Sequence, residues 1–172
     1  MAVEARSDRK PLCCLSYLSE LHEELVTKTS NVDSEERKTV SNSNAEKNKA
    51  IVLKAFDTLF NKRDFTAAER FWSPNYIQHS AHIEPGRDGL FNLIKAAPPS
   101  LKYEPGVILA EDDHVIVHGR FSNIGLPVNW IAADVVRLMD GILVEHWDVI
   151  QDEATEQQSK SGNPMFGDSF PK

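Results

Sequence analysis

The stretch from Trp130 to Gln151 limits what this chain can become more than any other. It reads WIAADVVRLM, then Asp140-Gly141, then ILVEHWDVIQ. Two strand-like runs rich in Val, Ile, Leu and Trp around an Asp-Gly pair are a strong hairpin signal. Asp134, His146 and Asp148 lie inside those runs. Titratable groups within apolar strands are costly to bury unless paired or put to use, so the face they occupy decides what the hairpin is for.

Register sets that face. A two-residue Asp-Gly loop pairs Met139 with Ile142, and puts Asp134 opposite Trp147 and Glu145 opposite Val136. A three-residue loop Met139-Asp140-Gly141, with Gly141 as a left-handed bulge residue, pairs Leu138 with Ile142. Asp134 then faces His146, Val136 faces Val144 and Val135 faces Glu145. Strand side chains alternate with period two, so this second register gathers Ala132, Asp134, Val136, Val144, His146 and Asp148 on one face. An apolar wall carrying an Asp–His–Asp cluster is the make-up of a small-molecule site. The three-residue loop is preferred here because it brings the ionisable groups together.

At 172 residues and a net charge of −7, one acidic domain is expected, large enough to bury a core without disulfides. An acidic chain without a basic run is poorly suited to nucleic acid or an anionic membrane surface. No apolar stretch approaches the roughly 20 residues that span a bilayer. The two cysteines, Cys13 and Cys14, are adjacent, so no disulfide framework is available. That usage suits a reducing compartment, and a cytoplasmic location is expected. Arg6, Arg9 and Lys10 precede a short apolar run that stops at Glu20, too short for a signal peptide.

Residues 1–42 read as a flexible N-terminal extension. Leu12, Leu15, Leu18 and Leu25 offer one stripe of a marginal helix, and the chain from Thr27 to Ala45 is polar, with almost nothing to bury. A folded domain is expected over 43–151. Ser43 and Glu46 match a capping box. Val52, Ala55, Phe56, Leu59 and Phe60 then recur at helical spacing, predicting a helix over 45–60. A second helix is expected over about 64–72 with Asp64 as its cap. A third is expected from a cap at Asp88, with Leu90, Leu93, Ile94 and Ala97 inward, ending at Pro98-Pro99. Tyr76 to His79 reads as a short strand, and 107–110 and 115–121 as strands around the acidic turn Glu111-Asp112-Asp113. Helices followed by strands predict an α+β fold with one antiparallel sheet, helices on one face and a pocket between. Val135, Leu143 and Trp147 on the other face are too apolar for solvent, which points to a homodimer through the sheet. Residues 152–172 form a C-terminal tail whose Met165 and Phe166 are expected to cover the pocket mouth, on their own subunit or its partner, or else a sheet edge.

Asp134 is the sharpest chemical candidate, because burial raises a carboxyl pKa while an adjacent imidazolium lowers it. His146, His118 and His79 join it, with Trp130, Asp148 and His82 shaping the site. The bland alternative is a buried Asp134–His146 pair that only fixes register. A metal held by His79, His118, His146 and an aspartate is a further alternative, although no helical H-x-x-x-H spacing supports it. Gly-rich phosphate loops, G-x-S-x-G and Cys-His signatures are absent.

Three stretches, NKAIVLKAFDTLFNKRDFTAAERFWSPNYIQHSAHIEPGRDGL, EDDHVIVHG and ADVVRLMDGILVEHWDVIQ, together resemble a SnoaL-like domain of the NTF2-like superfamily. SGNPMFG also looks like the end of these proteins. The resemblance covers 46–151 and leaves residues 1–45 outside. It implies a cone: a curved antiparallel sheet wrapped around three N-terminal helices, enclosing a pocket, often dimeric through the outer sheet face. It also implies cofactor-free aldol chemistry in which Asp134 matches the acid/base aspartate and His118 the accompanying histidine. Relatives include isomerases and proteins without demonstrated activity, so fold is implied more firmly than reaction. The expectation is a lyase or isomerase acting on a small apolar carbonyl compound, with no cofactor and no metal. The rival is a dimeric module that binds a small molecule without turning it over.

Overall fold

The computed structural model describes residues 44–171. The leucine stripe, the Cys13-Cys14 pair and Ser43 of the capping box lie outside the described residues. Helix α1 spans residues 44–56 and runs into a π-helical turn, Asp57–Asn61. The apolar periodicity predicts its buried side: Val52, Ala55, Phe56, Leu59 and Phe60 all lie in the core. The widened turn follows from local bonding, since the Thr58 hydroxyl donates to the Lys54 carbonyl at 2.7 Å, a bond that loosens a helical ladder. Asn61 then clasps the backbone of Tyr103, accepting from its amide at 2.8 Å and donating to its carbonyl at 3.1 Å.

Helix α2 is shorter than its sequence suggests, Phe65–Ala68, continued by a 3₁₀ turn over Glu69–Phe71. Asp64 caps it as expected, accepting from the Ala67 amide at 2.9 Å. Helix α3 spans Gly86–Ala96. Its N-cap position is Pro85, and Asp88 sits in the first turn, where a carboxylate meets the helix dipole without capping it. No helix among the described residues is long and apolar enough to cross a membrane.

The strands are β1 (Trp72–Gln78), β2 (Lys102–Glu111), β3 (His114–Ser122), β4 (Trp130–Met139) and β5 (Ile142–Asp152). They form one curved, unclosed sheet in the order β1-β5-β4-β3-β2. The sheet is mostly but not wholly antiparallel: β1 runs parallel to β5. That pairing joins segments some seventy residues apart, and local patterning carries no trace of it. The helices cover one face, and Trp72, Leu59, Val115, Val117, Val136 and Leu143 are fully buried between the layers.

The hairpin follows neither anticipated register. Asp140 and Gly141 both have positive φ, 51° and 77°, as a two-residue primed turn requires, and Met139 pairs with Ile142 and Leu138 with Leu143. The ladder then slips by one residue between Leu138 and Arg137. Beyond it Arg137 pairs with Glu145, Val136 with His146 and Asp134 with Asp148. A β-bulge at Val144 therefore restores, by another route, the shared face of Asp134, His146 and Asp148. The pairing of Leu143 with the inward Leu138 at the turn puts Leu143 in the core rather than outward.

Candidate functional site

The helix-facing side of β4 and β5, with β1 and α3, encloses a cavity of about 140 Å³. That is on the order of the space that holds one aromatic ring. Its walls are apolar, led by Phe56, Phe60, Leu90, Ile94, Leu101 and Phe121. Asp134, His146 and Asp148 make a titratable patch on the strand side, and Tyr76, His82 and Trp130 also line the space. His82 packs obliquely against Trp130, ring centres 5.5 Å apart.

Asp134 and His146 are each 5% exposed, and Asp134 Oδ1 lies 3.1 Å from His146 Nε2. Asp134 Oδ2 is buried and has no hydrogen-bond partner among the described residues. Burial raises the Asp134 pKa above the ordinary carboxylate value. The hydrogen bond and charge of His146 pull it back in part, and the facing Asp148 adds to the rise. On its far side His146 Nδ1 lies 2.8 Å from Gln78 Oε1, and the same oxygen accepts from the Ser80 amide at 3.0 Å. Burial also holds the Tyr76 hydroxyl well above its usual range, so it remains a proton donor at any ordinary pH.

Of the residues expected in the site, Asp134, His146, Asp148, Trp130 and His82 meet in the cavity. His118 and His79 do not. On β3, Val115 and Val117 point into the core, and alternation sends His118 to the outer face, where its ring stacks on Phe166 at 5.8 Å. His79 follows the inward Gln78 and lies with Trp147, rings parallel and 4.9 Å apart, its Nε2 2.9 Å from Glu145. Met165 and Phe166 do not cover the pocket mouth of their own chain. Phe166 lies on the outer sheet face under the Arg120 guanidinium, 4.8 Å from its ring centre, and the Met165 sulfur accepts from the Ala154 amide. Gly106 makes room for this packing: a Cβ there would come within 2.9 Å of the Phe166 ring.

The four-residue metal set with His79 and His118 is therefore not assembled. Asp134, His146 and Asp148 do offer donor atoms within 4.8 Å of one another, but Asp134 Oδ1 and His146 Nε2 already bond each other. Sequence reading passed over Gln78 and Tyr76. The signal was the period of two in Tyr76-Ile77-Gln78-His79, which puts Tyr76 and Gln78 together and His79 with Ile77.

An α+β fold with helices on one face of a curved sheet is the NTF2-like architecture, and the chain is similar to several solved structures. AclR from Streptomyces galilaeus, a proposed hydroxylase, is 28% identical with a TM-score of 0.51, covering 62% of this chain and 90% of that one. A proposed ketosteroid isomerase from Kribbella flavida is 17% identical with a TM-score of 0.55, covering 62% and 79%. A proposed polyketide cyclase from Acidithiobacillus ferrooxidans is 18% identical with a TM-score of 0.53, covering 61% and 88%. A search of curated proteins finds no match. The family model for SnoaL-like polyketide cyclases matches residues 50–159, and the chain belongs to that family.

Proposed function

We propose that this chain is a cofactor-free lyase or isomerase, aldol-cyclase-like, acting on a small and largely apolar carbonyl compound. The supporting observation is Asp134, buried at the polar patch of an apolar cavity, bonded to His146 through one oxygen and unpartnered at the other. With the proton between them resting on His146, Asp134 is a carboxylate whose burial makes it a stronger base than one in water. Its Oδ2 takes a proton from the carbon next to the substrate carbonyl. The C–H electron pair becomes the C=C bond of an enolate as the carbonyl π pair moves onto oxygen, while His146 holds the charge and place of Oδ1. Returning the proton to another carbon isomerises the substrate. Attack of the enolate carbon on a second carbonyl, with the proton passed to the new alkoxide, closes a ring. Tyr76 and His82 are the lining groups able to donate to the enolate oxygen, in the position first expected of His118 or His79. Trp130 and Asp148 shape the site.

The test is deuterium uptake from solvent at the α-carbon of hydrophobic ketones and 1,3-dicarbonyl compounds, followed by NMR. The native chain should accelerate uptake, and Asp134→Asn should slow it by about 10²- to 10⁴-fold. Binding of the same compounds without any accelerated exchange would instead establish a small-molecule-binding module.

A further inference from the structure

The hydrogen bonds behind His146 determine where its protons lie. The Ser80 amide can only donate, so the Gln78 atom 3.0 Å away is the carbonyl oxygen of the side chain and not its NH₂. His146 Nδ1 meets that same oxygen at 2.8 Å and must carry a hydrogen to bond it. A neutral ring then has a bare Nε2, facing Asp134 Oδ1 at 3.1 Å. Two bare acceptors at that distance repel, so one proton lies between them, on the carboxyl or on the ring. The Gln78 NH₂ is buried and has no partner among the described residues. Flipping the amide would still let the NH₂ donate to a bare Nδ1, but it would lose the Ser80 bond and set two donors, the NH₂ and the Ser80 N–H, 3.0 Å apart, so the unpaired group is the lesser penalty. The fold imposes this arrangement, because Gln78 and His146 are direct partners in the parallel β1–β5 pairing.

We propose that Gln78 is a positioning residue: its carbonyl oxygen, oriented by the Ser80 amide, locks His146 as the Nδ1–H tautomer, so that Asp134 and His146 always share one proton on the pocket side. The inference deepens the acid–base reading above and rests on it for its catalytic meaning. Replacing the acceptor with an apolar side chain frees the ring to move its hydrogen to Nε2, where it donates to an Asp134 carboxylate and leaves Nδ1 bare. The pair then holds one proton fewer while keeping its own hydrogen bond.

The test is ¹⁵N NMR of the His146 ring in the full chain without ligand, for the native protein, Gln78→Leu and Gln78→Glu. The native spectrum should show a protonated Nδ1 at every pH at which the chain is folded. Gln78→Glu keeps an acceptor oxygen and should preserve that signature, whereas Gln78→Leu should show a neutral ring protonated at Nε2. In the exchange assay Gln78→Leu should move the pH dependence of kcat, because the pair holds one proton fewer, with KM little changed. A native His146 with a bare Nδ1, or an unchanged tautomer in Gln78→Leu, overturns the proposal. Where Gln78→Leu fails to fold, the native spectrum decides alone. Absence of exchange in the native chain counts against the catalytic reading and leaves the tautomer result standing, so the two failures are separable.

Discussion

His146 bonds Asp134 across a diagonal of the hairpin: His146 is paired with Val136, and Asp134 with Asp148, yet Nε2 and Oδ1 are 3.1 Å apart. Diagonal neighbours on one sheet face are within reach of long side chains. The direct neighbour of Asp134 is thus another carboxylate, and that repulsion joins burial in raising its pKa. An imidazole placed diagonally leaves one aspartate oxygen unpartnered, where a directly opposed bidentate partner would have taken both.

The raised pKa makes a signed prediction. The folded state keeps the Asp134 proton at a pH where the unfolded chain has released it. The stabilisation is therefore full below the ordinary carboxylate value and is lost as pH rises through the folded one. Asp134→Asn does not titrate, and its amide can donate to a bare His146 Nε2. In thermal melts from about pH 4 to about pH 8, the variant should gain on the native chain as pH rises. A variant that loses ground over that span would contradict the burial of a proton-retaining carboxyl.

The outer sheet face carries a cross-strand row, Leu109–Ile116–Val135–Trp147, with Leu109 63%, Ile116 44% and nearby Val149 73% exposed. We propose that a second copy covers it. Sedimentation at micromolar concentration should give a dimer, and Ile116→Glu should give a folded monomer with a similar melting temperature. A native chain that sediments as a monomer rules the dimer out.

The tail gives a prediction opposite to that of a pocket flap. Phe166 packs between Arg120 and His118 on the outer face, so Phe166→Ala should cost about 1–2 kcal/mol of stability. Deleting residues 162–172 should lower the melting temperature while ligand affinity measured by calorimetry stays the same. Altered affinity with unchanged stability would place the tail at a pocket, including that of a partner subunit.

Residues 1–40 contribute little apolar sequence beyond Val26. A chain beginning at Ser41 should melt within a few degrees of the full one, a difference of about 1 kcal/mol or less. A larger drop in differential scanning calorimetry would show that the leucine stripe docks on the core.

The parts of the site legible in the sequence were those written in local periodicity. Alternation along β4 and β5 places Asp134, His146 and Asp148 together, and the Asp-Gly pair marks the turn. The bulge was not legible, because the turn puts Leu143 inward and the shift then puts His146 inward, and nothing local in Leu143-Val144-Glu145 marks the residue left unpaired. His79 and His118 are candidates by residue type alone, and the alternation of their own strands sends both outward. Gln78 needed the parallel β1–β5 pairing, which joins distant segments and has no local signature. The helix stripe of α1 was legible and its π turn was not, because the turn depends on bonds made by Thr58 and Asn61.

The bulge at Val144 has a corollary. Deleting Val144 would remove the bulge and leave every pair as it is, Leu138 with Leu143, Arg137 with Glu145 and Val136 with His146. Straightening the bulge with Val144 retained would instead carry the Leu138–Leu143 register onward, setting Glu145 opposite Val136 and Trp147 opposite Asp134. Glu145 and Trp147 would then enter the pocket, and His146 and Asp148 would leave it. The strand encodes two different wall surfaces, one titratable and one aromatic, and a single bulge selects which of them faces the cavity.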